Sequence, residues 1–262
     1  MKLSWPLPQK DPWSTLFAEC LLAQLQVHPG LTMLDIACGD GIPAFYLAEH
    51  VGSTGRVLAM DLSQAQLSRA RLVQGSALPW LEFVCMDICA LPPTLPSFDR
   101  ITGNLSFMFF RPNRFEALQS LVSHLKPGGQ IVLTFPSLGT FDSLWQRIDR
   151  EMAHRHLVHE RQALADYVAE RPSAQHVTQW FEELKLEHIV VTEDPLEVTT
   201  GPGPAFLHHP LLRGGFLDDA YECFKDQALA EKVMAAVSND LASFVPLLAL
   251  RCTMSAWKPQ DS

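Results

Sequence analysis

No stretch of this 262-residue chain holds the roughly 20 consecutive apolar residues that a membrane-spanning helix needs. The densest late run, Leu241 to Leu250, is too short and carries Pro246. The opening residues Met1-Lys2-Leu3-Ser4-Trp5-Pro6 contain no apolar h-region, so no secretory signal is expected there. The six cysteines (Cys20, Cys38, Cys85, Cys89, Cys223, Cys252) form no C-x-x-C pair. They are expected to be reduced thiols of a cytoplasmic protein. Basic residues are also few: 20 Lys and Arg stand against 29 Asp and Glu, a formal charge of −9. Residues 1–136 carry 9 basic and 10 acidic residues and the remainder 11 and 19, so the acidic excess lies late. Such a balance repels a phosphate backbone, and no nucleic-acid partner is expected. Repeats and low-complexity tracts are absent too.

What remains is the composition of an ordinary globular protein, 47% hydrophobic and 19% charged, long enough to bury a core without disulfide staples. Over the first 135 residues, short apolar runs alternate with helical patterns, the sign of βα units around a parallel sheet. Strands are expected at Thr32 to Ala37, Arg56 to Met60, Leu81 to Met86, Phe98 to Gly103 and Gln130 to Phe135. Between them Ile42 to His50, Ser63 to Val73 and Asn113 to Leu125 repeat apolar residues at helical spacing. Lys126-Pro127-Gly128-Gly129 reads as the stop signal of the last of these helices. Pro12 to Gln26 reads as an earlier helix. From Ser137 onward the pattern changes to a long, charged, helix-prone stretch, Phe141 to Glu170, and to helical segments over about Leu217 to Phe244. Thr178 to Leu184 is a shorter helix, and strands are expected at Ile189 to Thr192 and Leu250 to Trp257.

The most specific signal is Leu34-Asp35-Ile36-Ala37-Cys38-Gly39-Asp40-Gly41, joining the first strand to the first helix of the core. Glycines there let the backbone approach a ligand and adopt positive φ, and the helix N-terminus behind them offers free N–H groups. Gly39-Asp40-Gly41 is followed by Ile42, Pro43 and Ala44, which departs from the dinucleotide pattern G-x-G-x-x-G.

With its context, the run resembles motif I of the class I S-adenosylmethionine-dependent methyltransferases, D-x-G-x-G-x-G, with Ala37 in place of the first glycine. Further matches follow in order: Asp61 ending the second strand, Asp87 ending the third, Phe98 to Asn104 on the fourth, and Leu125 to Gln130 leading into the fifth. Together they cover about residues 31 to 136. The resemblance implies a Rossmann-like, doubly wound, mostly parallel seven-stranded sheet with helical cap inserts. It implies S-adenosyl-L-methionine as cofactor. Gly39 and Gly41, with Ala37, would line its methionine moiety by backbone contact, and Asp35 would order the loop and reach the amino group. Asp61 would hold the ribose hydroxyls, a carboxylate's usual use at this strand end. Asp87 and the Ile88 backbone would read adenine, Leu62 would pack against it, and the Asn104 carbonyl would approach the methionine part. Asp99, at the start of a strand, is expected to be structural instead.

Methyl transfer from a sulfonium is an in-line displacement that needs proximity, alignment and a dry pocket, with a base only where the acceptor must lose a proton. His154, His156, His159, His208 and His209 are candidate bases, and His208 and His209, after the Gly/Pro loop, are the better placed as a base or for positioning the acceptor. His154-x-His156-x-x-His159 looks metal-like, but on one helix only His156 and His159 share a face, and no metal is expected. The aromatic run Phe107-Met108-Phe109-Phe110 follows Asn104 and is a candidate for facing the substrate.

The expected organisation is an N-terminal helical segment (1–30), a cofactor-binding core (31–136), and helical cap inserts with C-terminal strands completing the sheet (137–262). The expected function is methylation of a small, partly apolar acceptor, as in the broad ubiquinone/menaquinone-type and malonyl-carrier-type group. A non-catalytic cofactor-binding or regulatory protein on the same fold and, less so, a nicotinamide-dependent oxidoreductase are the alternatives.

Overall fold

The computed structural model describes residues 12–198, 203–209, 212–213, 216–240 and 246–260. Helix α1 (Pro12–Gln24) precedes β1 (Thr32–Ile36), α2 (Ala44–Val51), β2 (Arg56–Asp61), α3 (Gln64–Gln74), β3 (Leu81–Cys85) and β4 (Phe98–Gly103). Then come α4 (Arg114–Ser123), β5 (Leu125–Pro136), α5 (Asp142–His154), α6 (Val158–Ala169), α7 (Ala174–Glu183) and β6 (Glu187–Val198). Helices α8 (Phe216–Glu222) and α9 (Gln227–Asn239) lead to β7 (Leu247–Trp257). The seven strands form one sheet in the order β3-β2-β1-β4-β5-β7-β6.

Strands β1 to β5 pair in parallel, with Asp35 opposite both Ala59 on β2 and Thr102 on β4. Strand β7 reverses direction: Gly128 N–H donates to the Lys258 carbonyl near the start of β5, and Ser137 N–H to the Leu250 carbonyl just past its end. The central strands are continuous buried runs, as a sheet covered on both faces requires. Strand β6 lies at the edge and is mostly exposed; Glu187, Glu193, Asp194, Pro195 and Glu197 discourage further strands from pairing with it. Local chemistry sets several helix ends. Ser63 caps α3 by accepting from the Gln66 N–H, and Asp226 caps α9 by accepting from the Ala228 N–H.

The chain divides into two compact units. The first comprises 1–135, 174–192 and 252–262, and the second 136–173 and 193–251. In the first, one apolar cluster gathers Leu34, Ile36, Met60, Ile101, Leu118 and Phe135 with Val177 and Phe181 of α7. A second joins Leu21 of α1 to Met33, Phe45, Leu47, Val57 and Leu67. The division therefore differs from a single cut after 136, because α7 and the ends of β6 and β7 belong with the sheet core. The second unit is helical and buries Phe141, Leu144, Ile148, Met152, Leu164, Val233 and Met234.

Two expectations about elements are corrected. Lys126-Pro127-Gly128-Gly129 is not a helix end but part of β5. Helix α4 stops at Ser123, and β5 absorbs extra residues opposite β4, whose partners jump from Phe98↔Leu125 to Arg100↔Gln130. Phe141 to Glu170 is two helices, broken at 155–157, where His156 takes a positive φ of 56° and no glycine or proline announces the break. The helical segments expected over Leu217 to Phe244 are α8 and α9, with 241–245 outside the described residues.

Candidate functional site

The turn after β1 lies where the strand order reverses between β1 and β4, the place where open α/β sheets bind ligands beyond their carboxyl ends. Ala37, Gly39 and Gly41 all have positive φ, at 49°, 54° and 100°. Ala37 thus adopts the left-handed conformation usual for the glycine that it replaces. A side chain at Gly41 has no room: a Cβ there would sit 2.5 Å from the Phe45 ring. The Cys38 N–H donates to the Met60 carbonyl (3.0 Å) and the Gly41 N–H to the Cys38 carbonyl (2.8 Å), which holds the turn against β2. Asp40 turns outward to an ion pair with Arg69 at 2.9 Å.

Asp61 ends β2 and accepts from the Gly39 N–H on Oδ2 and from the Ser63 N–H on Oδ1, both at 2.8 Å. Each carboxylate oxygen has two acceptor directions, so a lone pair on each is left for a ligand hydroxyl. Leu62, the next residue, is 65% exposed and so is not a core side chain. Asp87 is exposed and accepts from the Cys89 N–H at 2.8 Å; Ile88 is buried, so only its backbone is open to a ligand.

Asp35 is fully buried beneath the turn. Its Oδ1 lies 2.7 Å from Thr102 Oγ1, and its Oδ2 has no hydrogen-bond partner among the described residues. Burial pushes its carboxyl up to about 7; the Thr102 hydroxyl opposes this, the Asp61 charge adds to it, and the Ala44 N–H opposes it. Burial likewise pushes the Cys38 thiol up, reinforced by Asp35 and Asp61. Asn104 is buried with its side chain committed: its amide donates to the Ser14 carbonyl of α1 (2.8 Å), and its oxygen accepts from Thr134 Oγ1 (2.9 Å).

Asp35, Ala37, Gly39, Gly41, Asp61, Leu62, Asp87, Ile88 and Asn104 thus all belong to the first unit, at the carboxyl ends of β1 to β4. His208 and His209 belong to the second: His208 ends a short 3-10 helix and is exposed, and burial lowers the titration of His209. His154 ends α5, His156 lies between helices and His159 sits on α6, so the three do not share one helix. Phe107 and Phe110 are corrected from substrate-facing candidates to core. Both are buried, and Phe107 packs on Phe110, Phe135 and Trp180 at 5.1–5.7 Å between ring centroids. Asp99 is the structural acid expected, accepting from the Thr32 N–H (2.8 Å) and pairing with Lys126 (2.9 Å). Sequence reasoning missed Thr102 and Thr134, which hold Asp35 and Asn104; their signal lay in strand register rather than in a motif.

The fold and this turn define a Rossmann-like domain built to take a nucleoside cofactor. Residues 33–129 match the family described as a methyltransferase domain. Over that span the chain is similar to class I S-adenosylmethionine-dependent methyltransferases. Over 112 residues it is 34% identical to a demethylmenaquinone methyltransferase of Oceanobacillus iheyensis, covering 42% of this chain and 47% of that one. Over 210 residues it is 28% identical to a malonyl-[acyl-carrier protein] O-methyltransferase of Pseudescherichia vulneris, covering 75% and 76%. For most of the curated relatives that it matches, the chain spans about half of their length. Among solved structures it shares its fold with a phosphoethanolamine N-methyltransferase of Haemonchus contortus in complex with phosphomonomethylethanolamine and S-adenosylhomocysteine (TM-score 0.58, 18% identity, 93% of this chain and 52% of that one).

The residues present fit such a cofactor. The orphaned, buried Oδ2 of Asp35 and the Asp61 carboxylate near it are acceptors of the kind an ammonium group needs. No helix of the described residues is long and apolar enough to cross a membrane.

Proposed function

We propose that the chain binds S-adenosyl-L-methionine and transfers its methyl group to a small, partly apolar acceptor. The observation that carries this reading is the Asp61 carboxylate clamping the Gly39 turn at the β1/β4 switch point, with Asp35 below it. In this reading Asp61 holds the ribose, Asp87 and the Ile88 backbone read adenine, and exposed Leu62 lies against the ring. The backbone of 37–41 and of Asn104 takes the methionine end. The bound cofactor supplies an activated methyl group on sulfur; the protein's own part is to align the two reactants and keep water out.

A small acceptor is supported by the acidic excess after residue 136, which disfavours polyanionic partners. The names of the relatives, one acting on a menaquinone precursor and one on a malonyl-carrier, point the same way. Acceptor choice is assigned to the second unit, with His208 and His209 as the base or positioning groups.

The test is a thermal-shift titration. S-adenosylmethionine and S-adenosylhomocysteine should each raise the melting temperature, because a ligand that binds only the folded state stabilises it by mass action. NAD should not. Folded protein that shows no shift with millimolar cofactor overturns the assignment, and a shift with NAD alone transfers it to an oxidoreductase.

A further inference from the structure

Asp35 and Thr102 are register partners across the β1/β4 crevice, and both are fully buried. Thr102 Oγ1 lies 2.7 Å from Asp35 Oδ1 and 3.3 Å from the Leu34 carbonyl oxygen. A hydroxyl has one proton to donate, and beside an ionised Asp35 both of these neighbours are acceptors, so one contact goes unmade. If Asp35 carries the proton, it donates to Thr102, and Thr102 donates to Leu34. Both contacts are then hydrogen bonds. Oδ2 accepts no hydrogen bond of ordinary geometry, although the Ala44 N–H faces the carboxyl, and so thinly paired a buried charge costs far more than a neutral carboxyl.

Among the described residues no cation acts on Asp35; Arg71 acts on the neighbouring Cys38. The titratable groups facing Asp35 are Asp61 at the end of β2 and Cys38 on the turn; β4 presents Thr102, and α2 presents the Ala44 N–H with no acidic residue in its first turn. Burial and the Asp61 charge hold the Asp35 carboxyl up at about 7.

We infer that Asp35 is a neutral carboxylic acid in the cofactor-free protein and loses its proton when the cofactor's ammonium group binds, so that cofactor binding and proton release are a single event. In that step the Asp35 O–H bond breaks, its electron pair stays on the carboxylate, and the proton passes to solvent. The Thr102 hydroxyl then turns from Leu34 to Asp35. The inference rests on the S-adenosylmethionine reading above. It makes affinity fall as pH drops below the titration point of Asp35, by about tenfold per pH unit, because protons and cofactor compete for one state of the carboxyl.

The experiment is isothermal titration of the full chain with S-adenosylhomocysteine near pH 6 and near pH 8, each in two buffers of different protonation enthalpy. About one proton should be released per ligand at the lower pH and close to none at the higher, with affinity about tenfold weaker at the lower pH. Asp35→Asn should bind without proton release and without that pH dependence. In parallel, carboxyl-carbon NMR of the ligand-free protein should show Asp35 titrating near neutrality. Titration of Asp35 near 4, equal affinity at both pH values, or proton release surviving in Asp35→Asn each overturns the inference. Absence of S-adenosylhomocysteine binding at either pH sinks the functional reading and the linkage with it, and the NMR titration then separates that failure from an error about the carboxyl itself.

Discussion

Asp61 Oδ2 accepts a hydrogen bond from the Gly39 N–H at 2.8 Å, tying the end of one strand to the glycine turn that follows its neighbour. One side chain thereby shapes the turn and leaves acceptor capacity for a ligand. Asp61→Ala removes both functions. Its affinity for S-adenosylhomocysteine should fall by roughly 1.5–3 kcal/mol, the range for hydrogen bonds to a charged group. Calorimetry measures this directly; an affinity unchanged within threefold would leave Asp61 with a purely structural role.

The turn also makes an asymmetric prediction about small residues. Gly41→Ala places a methyl group 2.5 Å from the Phe45 ring at φ 100°, and should cost about 1–3 kcal/mol of stability. Ala37→Gly relieves a left-handed alanine at φ 49° and should be neutral or stabilising by up to about 1 kcal/mol, the extra freedom of glycine in the unfolded chain offsetting part of the gain. Urea denaturation of both variants gives the comparison.

Asp99 should matter to stability and not to the cofactor. Burial alone would raise its carboxyl, but the Thr32 N–H, the Lys126 ammonium and Arg100 outweigh burial and hold it below its ordinary value. A depressed folded-state value means that the stabilisation is present above the ordinary carboxylate range and is lost as pH falls through the depressed one. Asp99→Ala should therefore be less stable than wild type at pH 7, by about 1–2 kcal/mol from the lost hydrogen bonds. The gap should narrow as pH falls through the depressed titration of Asp99. Cofactor affinity should stay within threefold.

In the second unit, the Arg171 guanidinium lies over three rings, Tyr167 at 4.8 Å and Trp145 and Phe216 at 5.1 Å each, and donates to the Thr140 carbonyl and the Tyr167 hydroxyl. Burial pushes the Tyr167 hydroxyl up to about 12. Arg171→Lys keeps the charge but loses the planar stack and the forked donors. It should lower stability by about 1–2 kcal/mol. S-adenosylhomocysteine binding should be unaffected, and thermal unfolding with and without ligand tests both halves.

His209→Ala addresses the acceptor. Cofactor affinity should stay within about threefold, under roughly 1 kcal/mol, while turnover of an acceptor falls. A large loss of cofactor affinity would place His209 with the cofactor residues instead.

The βα core was legible because its signals are local. β1 to β4 are short apolar runs bounded by polar and glycine residues, and the expected limits of β4, Phe98 to Gly103, match the observed strand. Ser63 ahead of α3 is a cap that can be read from residue type. The breaks in the late helices were not equally legible. Asp226, a usable N-cap, marks the start of α9, but the interruption at His156 depends on backbone conformation that neither glycine nor proline announces. The aromatic run after Asn104 misled because a phenylalanine facing ligand and one facing core have the same periodicity; only packing against Phe135 and Trp180 separates them.

The sequence by itself determined the strand-to-helix turn at 37–41, the acids closing β1, β2 and β3, and the parallel core, since each depends on residue type and on spacing along the chain. Tertiary structure alone decided which partners those acids meet. Asp35 faces Thr102 because parallel pairing of β1 and β4 aligns them, although 67 residues separate the two in sequence. Asp61 reaches Gly39 in the same way, and Phe107 finds its neighbours in the core rather than in a pocket. Charge, burial and hydrogen-bond supply at a site are set by what long-range pairing brings within a few ångströms, and that distance is not written in the order of the residues.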